Sequence, residues 1–135
     1  MVDRHMVDGW LARYVHAWET YDPAAIGDLF SADATYRFHP WDAPVTGRDA
    51  IVASWIEPGS DSAASGRDEP GTYAAHYEAF AVDGDRAVAV GWSRYWTDAG
   101  RSVERQAFDN AFLLEFDADG RCRSFTEWYM QRPAG

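Results

Sequence analysis

Apolar residues recur along this chain at two different periods, and the change falls near Thr72. Before it the spacing is helical. Trp10, Tyr14, Trp18 and Tyr21, with Leu11 and Val15 alongside, make a wide apolar stripe and predict a helix over residues 6–20. Asp22-Pro23 then opens a second helix, because an Asp accepts from free amides and a Pro suits the first turn. That helix is expected over 23–30, burying Ile26, Leu29 and Phe30, with a break at Ser31-Ala32-Asp33. Residues 34–38 read as a strand, and Pro40 and Pro44 keep the next residues out of helix. Thr46-Gly47 starts a third helix whose apolar face is Ile51, Val52, Trp55 and Ile56, stopped by Pro58-Gly59.

From Thr72 the period is two. Strands are expected at 72–82, 85–97, 102–116 and 122–131, joined by turns at Asp83-Gly84, Asp98-Ala99-Gly100 and Asp117 to Gly120. Between the halves lies EPGSDSAASGRDEPG, residues 57–71, which reads as a mobile loop. The leading MVDRH carries no packing pattern and is expected to fray. Helices followed by a strand meander predict a single α+β domain over 1–135. The helices should cover one face of a curved, mostly antiparallel sheet and leave a cavity where the two diverge.

Composition narrows the function classes. Seven Trp and seven Tyr are the kind of side chain that lines cores and ligand cavities alike. The net charge is −10 and every basic residue is a dispersed Arg, so a nucleic-acid footprint is missing and anionic membrane is disfavoured. A single Cys122 excludes an internal disulfide, and its apolar context reads as a buried structural thiol. The four His show no metal-ligand spacing, and no metal or cofactor is expected. No apolar run spans a bilayer, so a soluble cytoplasmic chain is the expectation.

Candidate chemistry concentrates in a few places. Phe38-His39-Pro40-Trp41-Asp42, a polar and aromatic knot at a strand end, reads as one wall of a small-molecule pocket. Asp109 sits in a strongly apolar strand, where a carboxylate must be paired, hydrogen-bonded or protonated. It is either a pocket acid or a structural acid tied to an Arg or a buried amide. Asn110 takes the opposite face unless a bulge exchanges the two. Phe125, Glu127 and Tyr129 alternate onto one face, with Glu127 either an acid/base group or the partner of Arg94. Trp92, Arg94 and Trp96 share a face of the strand expected at 85–97, and His76 fits either side. Phe108, Phe112, Leu114 and Phe116, assigned opposite Asp109, leave an uncovered apolar face and predict a homodimer through the outside of the sheet.

RYVHAWETYDPAAIGDLFSADATY, GRDAIVASW and FDNAFLLEFDADGRCRSFTEWY together span nearly the whole chain. In order and content it resembles the nuclear transport factor 2-like (cone-fold) superfamily, in its SnoaL-like polyketide-cyclase and ketosteroid-isomerase branches. The resemblance implies a cone-shaped α+β barrel. It places Tyr14 and Asp109 where ketosteroid isomerases keep their oxyanion donors. The base of those enzymes falls near Phe38-His39, where this chain has no carboxylate and offers His39 instead. It also turns the Glu127 face toward the cavity, making Glu127 a rival base. Trp18, Trp41, Trp55, Trp92, Arg94, Phe125 and Tyr129 are the implied substrate-binding residues. The implied activity is that of a cofactor-independent isomerase, dehydratase or cyclase acting on a small hydrophobic oxygenated molecule. The alternative is a non-catalytic ligand-binding or interaction module of the same fold.

Overall fold

A computed structural model describes residues 2–57 and 68–133. Three helices, α1 (Arg4–Thr20), α2 (Pro23–Asp28) and α3 (Arg48–Ile56), precede most of the sheet. The strands are β1 (Phe30–Arg37), β2 (Val45–Thr46), β3 (Tyr73–Asp83), β4 (Arg86–Trp96), β5 (Glu104–Phe116) and β6 (Cys122–Gln131). They form one curved, unclosed sheet in the order β2-β1-β6-β5-β4-β3. Among these strands the β1–β6 pairing is parallel and the other four pairings are antiparallel. This is the α+β architecture that the period change implies, with the helices on the concave face.

Local chemistry fixes the helices. Asp3 caps α1 by accepting from the Met6 amide at 2.8 Å, and Asp22 caps α2 through the Ala24 amide at 3.1 Å with Pro23 in the first turn. Tyr21 ends α1 in the left-handed region at φ 50°. The leading residues do not fray as expected. Val2 is buried and its amide donates to the Gly84 carbonyl, while Arg4 donates to the Ala79 carbonyl at 2.6 Å. A leader too short to show a pattern is held here by a cap and two long-range hydrogen bonds. Asp8 accepts from the Ala79 amide at 2.7 Å, so α1 clasps β3 at the register shift between Ala79 and Ala81. Most of the loop expected over 57–71 lies outside the described residues.

The break expected at Ser31-Ala32-Asp33 takes another form. The chain stays extended from Phe30, but its register against β6 shifts between Phe30 and Thr35. A bulge of this kind absorbs the polar residues without ending the strand.

The core lies between α1 and the sheet. Trp10 is buried edge-on against Phe30 and Phe116, and its indole N–H donates to the Leu29 carbonyl at 3.0 Å. Phe125 stacks flat on Tyr36 with ring centroids 4.3 Å apart. Cys122 is fully buried, and burial pushes its thiol up to about 12, which keeps it protonated. Gly91, on β4, lies where the strand closes tightly on β3. A Cβ there would land on the His76 carbonyl oxygen and within 2.8 Å of the Tyr77 Cα. Only a residue without a side chain permits that approach.

Candidate functional site

Where α1 and α3 pull away from the sheet, a cavity of about 430 Å³ opens. Tyr14 and Trp18 reach it from α1, Trp55 from α3 and Tyr36 from β1. Tyr77, Ser93, Tyr95 and Asn110 line the sheet side, and Glu127 and Tyr129 come from β6. β4 contributes Ser93 and Tyr95 and β6 contributes Glu127 and Tyr129, alternate residues as the pleat requires.

Glu127 sits between the core residue Phe125 and the rim residue Tyr129. It accepts a hydrogen bond from Asn110 Nδ2 at 2.9 Å. Asn110 is itself oriented by Ser93, whose hydroxyl donates to Oδ1 at 3.1 Å. Ser93 and Asn110 are buried, so the Ser93–Asn110–Glu127 chain is fixed by its own donor and acceptor complementarity. Among the described residues no arginine answers the carboxylate. Arg94 spends its guanidinium on Glu104 at 2.6 Å on the other face of the sheet. Burial raises the Glu127 carboxyl from 4.5 to about 7, with the Asn110 hydrogen bond opposing the rise. A carboxyl poised there exchanges protons near neutral pH.

Tyrosines surround it. Tyr14 and Tyr36 share a hydrogen bond at 3.1 Å between their hydroxyls. Burial raises Tyr14, Tyr36 and Tyr77 well above the ordinary tyrosine value, and the negative charge of Glu127 adds to the rise in all three. They therefore remain neutral hydroxyls able to donate. Trp55 is buried, and its indole N–H has no partner among the described residues.

The rim is polar. His39 Nδ1 lies 2.9 Å from Asp42 Oδ2, and Nε2 lies 2.8 Å from the Tyr129 hydroxyl. The same Asp42 oxygen accepts from the His39 amide at 3.1 Å, which anchors the carboxylate at the strand end. On the opposite side, Asp68 accepts from Trp18 at 3.1 Å and from the Tyr21 hydroxyl at 3.2 Å. Arg105 lines the mouth, with its guanidinium 5.4 Å from the Tyr95 ring centroid.

Six of the residues singled out from sequence meet in this cavity: Tyr14, Trp18, His39, Trp55, Glu127 and Tyr129. Five do not. Asp109 is on the convex face, held by Arg132 through hydrogen bonds of 2.9 and 2.7 Å. Its carboxyl is lowered by that hydrogen-bonded guanidinium, so it is an ordinary ionised surface acid. The register Trp92↔Asp109 and Gly91↔Asn110 has no bulge there, and the whole strand is turned over relative to the expectation. Phe108, Phe112, Leu114 and Phe116 point inward with Asn110, because that set is larger and more apolar than Asp109, Ala111, Leu113 and Glu115. The apolar face invoked for a dimer is thus covered by this chain's own helices. Trp92 and Arg94 follow Asp109 to the convex side. Trp41 is 80% exposed and stacks on His39, and Phe125 lies in the core beneath the cavity.

Tyr36, Tyr77, Ser93, Tyr95 and Asn110 are among the cavity residues that sequence reasoning missed or left open, as are Asp68 and Arg105 at the rim. Parity held the signal for two of them: Ser93 and Tyr95 alternate with the outward Trp92, Arg94 and Trp96.

Helices over a curved, open sheet, with an aromatic cavity between them, define a nuclear transport factor 2-like pocket protein. Within that class the chain belongs to the SnoaL-like domain family, whose profile matches residues 11–125. It is similar to an NTF2-like protein of unknown function from Mesorhizobium loti, solved by crystallography. The two are 24% identical, with 96% of each chain covered and a TM-score of 0.57, a likeness that extends to fold. Curated protein sequences yield no match. Among the described residues no helix is long and apolar enough to cross a membrane.

Proposed function

We propose that this chain is a cofactor-independent acid/base enzyme, with Glu127 as the base that takes a proton from carbon next to a carbonyl. The observation that carries this reading is a carboxyl raised to about 7 inside an aromatic cavity, answered by an amide and by no cation among the described residues. A merely structural acid buried in such a place is ordinarily paired with a cation, and Glu127 has an amide instead. The neutral Tyr14–Tyr36 pair supplies donors for the developing oxyanion, and the Trp55 N–H is a further donor. The substrate is a small uncharged ketone, since the Glu127 and Asp68 carboxyls on the cavity wall both disfavour an anion.

The test uses 2-tetralone, a neutral bicyclic ketone, and follows deuterium exchange at its α-carbon by NMR. Wild type accelerates exchange with a rate that rises as Glu127 ionises near pH 7, and Glu127→Gln lowers it about 10²–10⁴-fold. Wild type that binds 2-tetralone yet exchanges it no faster than Glu127→Gln is a binder, the competing reading.

The convex face carries Leu113, Trp128 and Met130, which are 45%, 51% and 76% exposed. We read it as the seat of a second copy of the chain. Sedimentation velocity at micromolar concentration should then give a dimer, and Trp128→Glu a monomer; a monomeric wild type rejects the idea.

A further inference from the structure

The Asp42–His39–Tyr129 array at the cavity rim plays no part in proton abstraction by Glu127. Its geometry is nevertheless that of a relay. Asp42 Oδ2 faces His39 Nδ1 at 2.9 Å, and His39 Nε2 faces the Tyr129 hydroxyl at 2.8 Å. Trp41 stacks on the imidazole at 4.9 Å, nearly parallel, so the ring is held between a carboxylate, a hydroxyl and an indole face. Among the described residues, the charged and titratable groups facing His39 are Asp42 on its own turn and Tyr129 from β6, with Glu127 two residues before Tyr129 on the same strand face. Arg37 is occupied by the Asp42 carbonyl at 3.2 Å. Tyr129 is raised by burial, by Glu127 and by Asp42, in that order, so it carries its proton.

Residues i and i+2 of a strand are about 7 Å apart on one face. Glu127 and Tyr129 are therefore spaced to act on two atoms of one small molecule: a carbon that loses a proton and an oxygen two bonds away that gains one. We propose that the Asp42–His39–Tyr129 array is the general-acid station of the site, and that the reaction is elimination of water from a β-hydroxy ketone. This deepens, and rests on, the role given to Glu127.

The atoms balance. Glu127 takes the α-proton, and the C–H electron pair becomes the new C=C bond of the enone as the β-carbon–oxygen bond breaks. The departing hydroxyl takes the Tyr129 proton and leaves as water. Tyr129 is reprotonated from His39 Nε2, whose imidazolium Asp42 stabilises. Solvent then returns the proton from Glu127 to His39. The Tyr14–Tyr36 pair holds the ketone oxygen meanwhile. Asp42 acts through His39 and is a positioning residue.

The experiment compares two probes: 4-hydroxy-4-(2-naphthyl)butan-2-one, whose dehydration gives an absorbing enone, and 2-tetralone exchange as the measure of Glu127 alone. Wild type should dehydrate the first. Tyr129→Phe and His39→Asn should lower dehydration about 10²-fold relative to exchange. Asp42→Asn should lower kcat for dehydration while leaving the KM for the hydroxyketone and the exchange of 2-tetralone unchanged, a split that a purely structural role for Asp42 would not produce. Asp109→Asn, on the convex face, should keep both activities. Dehydration undiminished in Tyr129→Phe and His39→Asn, or exchange by wild type without dehydration, overturns the relay and leaves Glu127 as base. Absence of exchange in wild type overturns the base and the relay together.

Discussion

Glu127→Gln should make the folded protein more stable at pH 8 and leave it nearly unchanged at pH 4. The glutamate binds its proton more tightly folded, at about 7, than its ordinary 4.5. Between those values the folded chain holds a proton that the unfolded chain has released, so wild-type stability falls as pH rises through the window. Above pH 7 the full difference of about 3 kcal/mol is lost. The substituted amide carries no charge, keeps an oxygen for the Asn110 amide and avoids the loss. Thermal unfolding at pH 4 and pH 8 reads this directly, with the variant ahead by roughly 10 °C at the higher pH. Parallel pH dependence in the two proteins would mean that the carboxyl is not desolvated. The gain coincides with the loss of exchange activity, the trade that a charged group held in an apolar cavity for its chemistry should show.

Gly91→Ala should destabilise the chain by at least about 3 kcal/mol, the upper range for overpacking, because its methyl meets backbone atoms that cannot rotate away. Urea denaturation measures the effect through its midpoint. Gly9→Ala is the control: it lies on the exposed side of α1 with nothing within 4 Å of the added carbon. There the substitution should stabilise by roughly 0.5–1 kcal/mol through helix propensity. Equal effects at the two glycines would mean that β4 does not approach β3 so closely at Gly91.

Legibility differs from element to element, for physical reasons. The strands after Thr72 are readable to within two residues because period-two alternation persists through each of them. β1 reads too short because the polar Ser31-Ala32-Asp33 looks like an ending, while a bulge keeps it extended. The facing of β5 is the instructive case. The FDN resemblance draws Asp109 inward, yet Phe108, Phe112, Leu114 and Phe116 share the parity of Asn110, and burying four large side chains outweighs placing one acid. The same parity argument places Glu127 and Tyr129 with Phe125, as the structure has them. The Ser93–Asn110–Glu127 chain is beyond reach, since it joins three strands through side-chain geometry that one strand's pattern does not encode.

The parallel pairing of β1 with β6 has a consequence for how the protein comes into being. Those strands join residues near 36 to residues near 125, the longest loop closure in the sheet. Contacts of such separation form late, after the local β3–β4–β5 meander has set. Glu127 and Tyr129 reach His39 and Tyr36 only with that last pairing. On the ribosome, a nascent chain ending before residue 122 can assemble its helices and three hairpin-linked strands, yet it displays Trp10, Phe30 and Tyr36 without their lid of β6. The strand that carries Glu127 and Tyr129 is also the final seal of the core, so an incompletely synthesised chain lacks one wall of its cavity and is sticky, a natural client for a chaperone.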